Sequence, residues 1–220
     1  MDTLLAFAAA VVTLRLSALL AGRWRARHAP ELAAWSVALF AFAAASAALA
    51  WGAAYGWNAA AFRVYYLFGA LLTAPLLGVG SLLLSRRRWA APVGIAYAGL
   101  AFGIALAMPL HGTFSGTEIP DTAAHLDFFP ARLVAVVGNS LGTLAVVAIA
   151  LASIRRRPIG NALILAGVAV AAAGSALFGV GVASTSASLA LAAGLLYAGF
   201  VARPRRDRRA PAVAKPDAQT

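Results

Sequence analysis

The residues best suited to chemistry lie in one polar stretch near the middle of the chain, at positions 109–130. This stretch holds two of the three histidines and three of the seven acidic residues. Imidazole and carboxylate groups are ligands for zinc and related metals. The candidates for a metal site are His111, Glu118, Asp121 and His125. Their spacing matches no compact metal motif, so an ordered loop held by charge pairs is the alternative.

A short helix is predicted inside this stretch. Pro120 is followed by Asp121-Thr122-Ala123-Ala124, and Asp and Thr are favoured at the position that caps a helix N-terminus. We therefore expect a helix that begins at Asp121 or Thr122.

Two arginines, Arg63 and Arg132, begin hydrophobic spans on the same side as this stretch. The N-terminus of a helix carries positive potential, so an arginine there favours an anionic group such as a carboxylate or phosphate. The residues predicted to bind such a ligand are Arg63, Arg132, Tyr66, Asn139 and Asp127. In the alternative interpretation, Asp127, Asp121 or Glu118 folds back and pairs with the two arginines.

The elements that must position these residues are membrane-spanning helices. The chain has 220 residues, is 62% hydrophobic and only 11% charged, and has a mean hydropathy of +0.84. A soluble domain of this size needs more polar residues to cover its surface. A membrane-spanning helix needs roughly 20 apolar residues. Seven spans are predicted, at 3–21, 32–51, 62–84, 89–108, 131–154, 159–182 and 186–202.

The distribution of arginine predicts the orientation. Fifteen of the eighteen basic residues fall into four clusters, at 23–27, 86–88, 155–157 and 203–215. Because basic residues concentrate in cytoplasmic loops, the N-terminus is predicted outside and the C-terminus in the cytoplasm. The first cluster follows the first apolar span instead of preceding it, which indicates a retained helix and not a signal peptide. The net charge of +11 is therefore not taken as a sign of nucleic-acid binding.

The predicted organisation is a seven-helix transmembrane domain at 1–202, with an outer loop at 109–130, and a basic tail at 203–220. We expect the tail to be disordered or to lie along anionic headgroups. Small residues, including the pairs Gly99/Gly103 and Gly138/Gly142, predict close packing between helices.

Several cofactors and classes of protein are excluded or disfavoured by composition. No cysteine is present, which excludes disulfides and thiolate sites. Retinal is excluded because its Schiff-base lysine is missing from the spans; the single lysine is Lys215. The spans contain no histidine, which argues against an intramembrane haem and against seven-helix hydrolases. No cofactor is predicted, apart from the metal considered above.

Two segments, FRVYYLFGALLTAPLLGVGSLLL and RRRPIGNALILAGVAVAAAG, carry a resemblance. They resemble an uncharacterised family of seven-helix integral membrane proteins of high-GC, actinobacterial-type bacteria. The shared anchors include Arg63, Tyr65, Tyr66 and Asn161. The resemblance implies an all-α membrane architecture and a bacterial origin, and no activity.

The function expected from the sequence is that of a sensor, receptor or subunit of a membrane complex in a bacterial inner membrane, with a recognition surface on the outside. No catalytic residues are predicted. The alternative is a transporter of a small or lipid-like anionic solute, followed by an extracytoplasmic metal-dependent enzyme. The expected partners are membrane lipids, with anionic headgroups at the cytoplasmic arginine clusters, and a protein partner or a second copy of the chain.

Overall fold

The computed structural model describes residues 2–155, 157–176 and 182–201. Every element in these ranges is a helix, and they contain no strand, so the predicted all-helical architecture is confirmed there. Within these ranges we number the long helices in chain order: α1 Asp2–Arg27, α2 Pro30–Tyr55, α3 Ala59–Leu84, α4 Ala90–Ala107, α5 Leu133–Ala152, α6 Pro158–Ala176 and α7 Val182–Val201. The predicted tail at 203–220 lies outside the described residues.

Among the described residues, five helical stretches are long and apolar enough to cross a membrane: Thr3–Arg27, Pro30–Tyr55, Ala59–Leu84, Ala90–Ala107 and Phe128–Ala152. The described apolar parts of the last two helices, Pro158–Ala171 and Ala187–Val201, are shorter. Length and composition together identify a multi-pass membrane protein.

Six of the helices form a closed ring. In order around the ring, α1 packs on α2, α2 on α3, α3 on α5, α5 on α6, α6 on α7, and α7 on α1. The fourth helix lies outside this ring and packs against α3 and the turn that precedes α5. The interior of the bundle is therefore bounded by six helices, and α4 covers one flank.

Burial in the bundle matches a lipid environment. The interior contains many alanines and leucines, and many other large apolar side chains lie exposed on the outside of the bundle. Ile95 is 74% exposed and Leu106 is 80% exposed on α4, and Leu144 is 64% exposed on α5. An apolar surface of this extent is stable only when hydrocarbon covers it.

One polar clamp joins the first two helices. The Ser17 hydroxyl donates to the Ser36 carbonyl at 2.8 Å, and the Ser36 hydroxyl donates to the Ser17 carbonyl at 2.9 Å. Both serines are buried. Each hydroxyl bonds the backbone of the other helix, which fixes the register of α1 against α2.

The loops sort into two ends. Residues 108–127, together with the start of α3, form what we call the loop end: Trp57 N–H donates to Gly116 O at 3.0 Å, and the Phe62 and Phe114 rings are 5.2 Å apart. The ends of α3, α5 and α7 meet the starts of α2 and α6 at the opposite end, which we call the basic end. The arginines at 86–88 follow α3 at this end, and Arg155 and Arg157 follow α5.

Glycines let α3 and α5 approach closely. A Cβ at Gly78 of α3 would lie 2.7 Å from the Gly142 Cα of α5. A Cβ at Gly142 would overlap the Ala74 carbonyl oxygen, and one at Gly138 would overlap the Tyr97 hydroxyl. The packing predicted for Gly138/Gly142 is thus present. The packing predicted for Gly99/Gly103 is wrong, because both face away from the bundle and a Cβ there would meet nothing within 4 Å.

The glycine contact gives a stability test. We expect Gly142→Ala to destabilise the folded protein by roughly 1–3 kcal/mol, because the new methyl group overlaps the α3 backbone. Gly103→Ala is the matched control and should leave the melting temperature in detergent unchanged or slightly higher. Equal melting temperatures for Gly142→Ala and the unmodified protein would contradict the proposed close contact.

Candidate functional site

A break in the regular hydrogen bonding of α3 dominates the middle of the bundle. Residues Tyr66–Thr73 form a π-helix, and Pro75 follows within the same helix. Proline has no N–H, and its ring clashes with the carbonyl four residues earlier, which widens the preceding turn. The carbonyls of Leu71 and Ala70, four and five residues before Pro75, therefore have no amide partner at residue 75.

Side chains from neighbouring helices supply the missing donors. Tyr97 of α4 donates its hydroxyl to Leu71 O at 2.8 Å, and Asn139 of α5 donates its amide Nδ2 to Ala70 O at 2.9 Å. Thr73 donates to Phe68 O within the π-helix at 2.7 Å. Asn139, predicted to contact a ligand, thus bonds the backbone of α3.

The loop end is ordered over the start of α3. The helix Thr122–His125 is capped by Asp121, whose Oδ1 accepts from Ala123 N–H at 2.9 Å, in agreement with the predicted helix start. The His125 ring stacks on Phe114 at 4.4 Å between centroids. Phe62, which is fully buried, packs beneath both rings. These aromatic contacts hold the loop against the bundle.

The four residues predicted to bind metal are not gathered into one cluster. No three histidine or acidic side chains of the described residues lie together as a metal site would require. His111 Nε2 pairs with Asp127 Oδ2 at 3.2 Å on the surface. His125 Nδ1 hydrogen-bonds the Asp121 carbonyl at 2.9 Å, and Glu118 is exposed.

Arg63 is bound to the backbone of α4. Its guanidinium Nη1 donates to Ala105 O at 2.6 Å and to Leu106 O at 3.3 Å. The last carbonyls of a helix have no intrahelical partner and carry negative potential, so a cation is stabilising there. Arg63 therefore caps α4 and ties it to the start of α3.

Arg132 has a different environment at the same end. It is half-buried, and its guanidinium carbon lies 5.8 Å from the centroid of the Phe128 ring. Tyr66, another of the predicted ligand residues, is 3% exposed in the neighbouring helix α3. Of the predicted ligand residues, Arg132 is the one whose guanidinium makes no hydrogen bond or ion pair to another described residue.

The predicted pairing of these arginines with loop acids is wrong. In the part of the chain that the structure describes, the single ion pair within 4.0 Å is the one between His111 and Asp127. Arg63 is held by carbonyls of α4, and Asp121 is used as a helix cap. Arg63 and Asp121 thus bond backbone groups at helix ends, and they do not pair with side chains of opposite charge as the sequence had suggested.

No family model, curated protein or solved structure matches this chain.

The π-helix, the donor role of Tyr97 and the capping role of Arg63 escaped sequence reasoning. The one local signal was the proline inside a membrane span, which leaves carbonyls without an amide partner. The donors for these carbonyls must come from elsewhere in the fold. Helix packing decides which side chains supply those donors, and the hydropathy pattern of the sequence does not encode that packing.

A double-mutant cycle tests the role of Asn139. We expect Asn139→Leu to destabilise the fold by about 0.5–2 kcal/mol, because Ala70 O loses its donor. In a Pro75→Ala background, residue 75 regains an N–H, so the cost of Asn139→Leu should fall to about zero. Thermal or denaturant unfolding in detergent measures both values.

The neighbouring exposed residue provides the control, and Ser140→Ala should be neutral in both backgrounds. Strictly additive effects of Asn139→Leu and Pro75→Ala would show that Asn139 does not serve the carbonyls freed by the proline.

Proposed function

We propose that this chain is a seven-helix protein of a bacterial inner membrane, with its N-terminus outside, and that it acts as a receptor, sensor or subunit of a membrane complex. Its loop end recognises an anionic ligand through Arg132. The observation that carries the proposal is the half-buried position of Arg132 at the start of α5, with no acidic partner within 4.0 Å among the described residues.

The surroundings of Arg132 support anion binding. The residue lies in the turn that leads into α5, where the first N–H groups of a helix favour negative charge. A half-buried guanidinium interacts more strongly with an anion than an exposed one, because water screens it less. The Phe128 ring holds one face of the guanidinium and leaves its N–H groups for a carboxylate or phosphate.

The orientation is supported by the separation of charges between the two ends. The clusters at 86–88 and 155–157 follow helices that end at the basic end, whereas Glu118, Asp121 and Asp127 belong to the loop end. The positive-inside rule then favours the basic end as cytoplasmic. Anionic headgroups at the arginine clusters, and a protein partner or second copy, are the partners we propose.

Transport of a small or lipid-like anionic solute is the second candidate. The observation that favours it is the interrupted helix α3, because broken helices often form binding sites in secondary transporters. The engagement of Asn139 and Tyr97 with the α3 backbone favours the receptor. Flux of an anion into proteoliposomes, abolished by Arg132→Gln, would decide for transport.

Single cysteines test the orientation, since the chain has none of its own. Ser115 and Ser85 are both exposed, at the loop end and the basic end. We expect Ser115→Cys to react with a membrane-impermeant maleimide in intact cells, and Ser85→Cys to react only after permeabilisation. The reverse pattern would contradict the orientation.

Arginine variants test the anion site. We expect Arg132→Gln, in lipid nanodiscs, to weaken the binding of succinate or inorganic phosphate by about 10–100-fold, as for a lost charged hydrogen bond. Arg155→Gln, at an exposed position of the other end, is the control and should bind normally. Arg63→Gln should lower the melting temperature more than the affinity, because Arg63 caps α4.

Isothermal titration calorimetry measures these affinities. Equal affinities for Arg132→Gln and Arg155→Gln, or no binding of either anion to the unmodified protein, would contradict the proposed recognition site.

A further inference from the structure

One arginine lies within the membrane-crossing part of α1. Arg15 is one of the three basic residues outside the arginine clusters, together with Arg63 and Arg132. It follows the start of α1 at Asp2 by thirteen residues and precedes its end at Arg27 by twelve. At the rise of an α-helix, these separations correspond to about 20 Å and about 18 Å along the helix axis. The charge of Arg15 therefore lies near the middle of the helix.

Arg15 is exposed on the outside of the bundle. The apolar side chains around it face the same way, since Val11 and Leu14 are each 49% exposed and Leu19 is 41% exposed. No hydrogen bond or ion pair joins Arg15 to any residue that the structure describes. Hydrocarbon covers this surface, so the charge has neither water nor a partner from the described fold. Ionised side chains at such a depth are unfavourable alone and are usually paired.

The headgroups at either end are a poor partner for Arg15. Apart from Arg15 itself, the stretch of α1 from Thr3 to Gly22 carries no charge. Arg15 precedes Gly22 by seven residues, which places it about 10 Å inside the nearer, basic end of this stretch. The Cα–Cβ bond of a helical residue tilts toward the helix N-terminus, which for α1 is the other end. The side chain would have to bend back against this direction to reach the nearer phosphates.

The exposed face around Arg15 has the repeat of a helix-packing seam. Six exposed residues follow one another at alternating steps of four and three: Leu4, Ala8, Val11, Arg15, Ala18 and Gly22. We call this set the outer stripe of α1. A repeat of 3.5 residues keeps one face against a neighbouring helix in left-handed packing. Small residues on both sides of Arg15 let a second helix come close, and a Cβ on Gly22 would meet nothing within 4 Å.

A second copy of this chain does not supply the opposite charge. None of the seven acidic residues lies within the predicted spans. Another copy therefore has no carboxylate at the depth of Arg15, whichever way its helices face. An aspartate or glutamate within an apolar span of a different protein does supply that charge.

We propose that the outer stripe of α1 binds a transmembrane helix of a different protein, which carries an aspartate or glutamate at the depth of Arg15. The guanidinium and the carboxylate form a charge-assisted pair, which is strong because hydrocarbon screens it little. The small and apolar members of the stripe pack against the partner helix. This inference rests on the proposed role as a subunit of a membrane complex, and it names the surface and the chemistry of the partner.

A synthetic transmembrane peptide tests the pairing with a defined probe. The peptide is a helix of leucine and alanine with one central aspartate, reconstituted with the full chain in phosphatidylcholine liposomes. Resonance energy transfer to a fluorophore on Ser115→Cys measures the association. We expect the unmodified α1 to bind this peptide about tenfold more tightly than a peptide with a central leucine, as for one charged hydrogen bond. Because only the peptide changes, the comparison does not depend on the folding of an α1 variant.

Variants of α1 assign the effect to Arg15. Arg15→Leu should abolish the preference for the aspartate peptide, and Arg15→Asp should transfer the preference to a peptide with a central arginine. Arg23→Gln changes an exposed arginine of the same helix beyond the uncharged stretch, so it is the matched control and should keep the preference. Equal binding of the aspartate and leucine peptides, or an equal loss in Arg15→Leu and Arg23→Gln, would overturn the proposal.

Photo-crosslinking in native membranes tests the partner itself. A photoactivatable amino acid replaces Val11, one turn from Arg15, and in the control it replaces Leu144, which is 64% exposed on α5 across the ring. We expect the probe at position 11 to crosslink to an apolar span that contains aspartate or glutamate, identified by mass spectrometry of the crosslinked peptide. Arg15→Leu should abolish this product. Crosslinks to lipid alone, to a second copy or to a span without an acidic residue would overturn the proposal.

The pairing at Arg15 and the anion site at Arg132 can fail separately. Normal binding of succinate or phosphate with no preference for the aspartate peptide would contradict the pairing alone. The reverse result would contradict the recognition at Arg132 and leave the pairing supported.

Discussion

The backbone carbonyls that Pro75 leaves without an amide partner are the constraint on which the centre of the bundle depends. Hydrocarbon offers no water to replace a lost hydrogen bond, so the donors must come from other helices. Tyr97 and Asn139 provide them, and this ties α3 to both α4 and α5. Because lipid contributes little hydrophobic drive between helices, such bonds and the close glycine contact at Gly142 position the three helices together.

The same preference for backbone partners organises the loop end. Arg63 bonds the last carbonyls of α4, and Asp121 caps the helix Thr122–His125. The sequence suggested that these charged groups pair with each other. They bond instead to the backbone groups at helix ends, which have no partner within their own helix. Arg132 has no acidic partner within 4.0 Å among the described residues, so the two arginines, equivalent in the sequence, have different surroundings in the fold.

The proposed anion site lies at a helix end, and three polar side chains farther inside the bundle already have backbone partners. Thr73, Tyr97 and Asn139 each bond a carbonyl of α3. An open route for an anion would need polar groups directed into the interior. The arrangement therefore supports the proposed recognition at Arg132 more strongly than it supports conduction.

The sequence by itself determined the helical, membrane-crossing architecture, the clustering of arginine and the cap at Asp121. These follow from hydropathy and local preferences, which act over a few residues. Only the tertiary structure decided what Arg63 and Asn139 do, because their partners lie 42 and 69 positions away. It also decided that Gly142 packs against α3 while Gly103 faces outward. The physical reason is that a side chain's partner depends on which helices become neighbours, and a local pattern does not encode this.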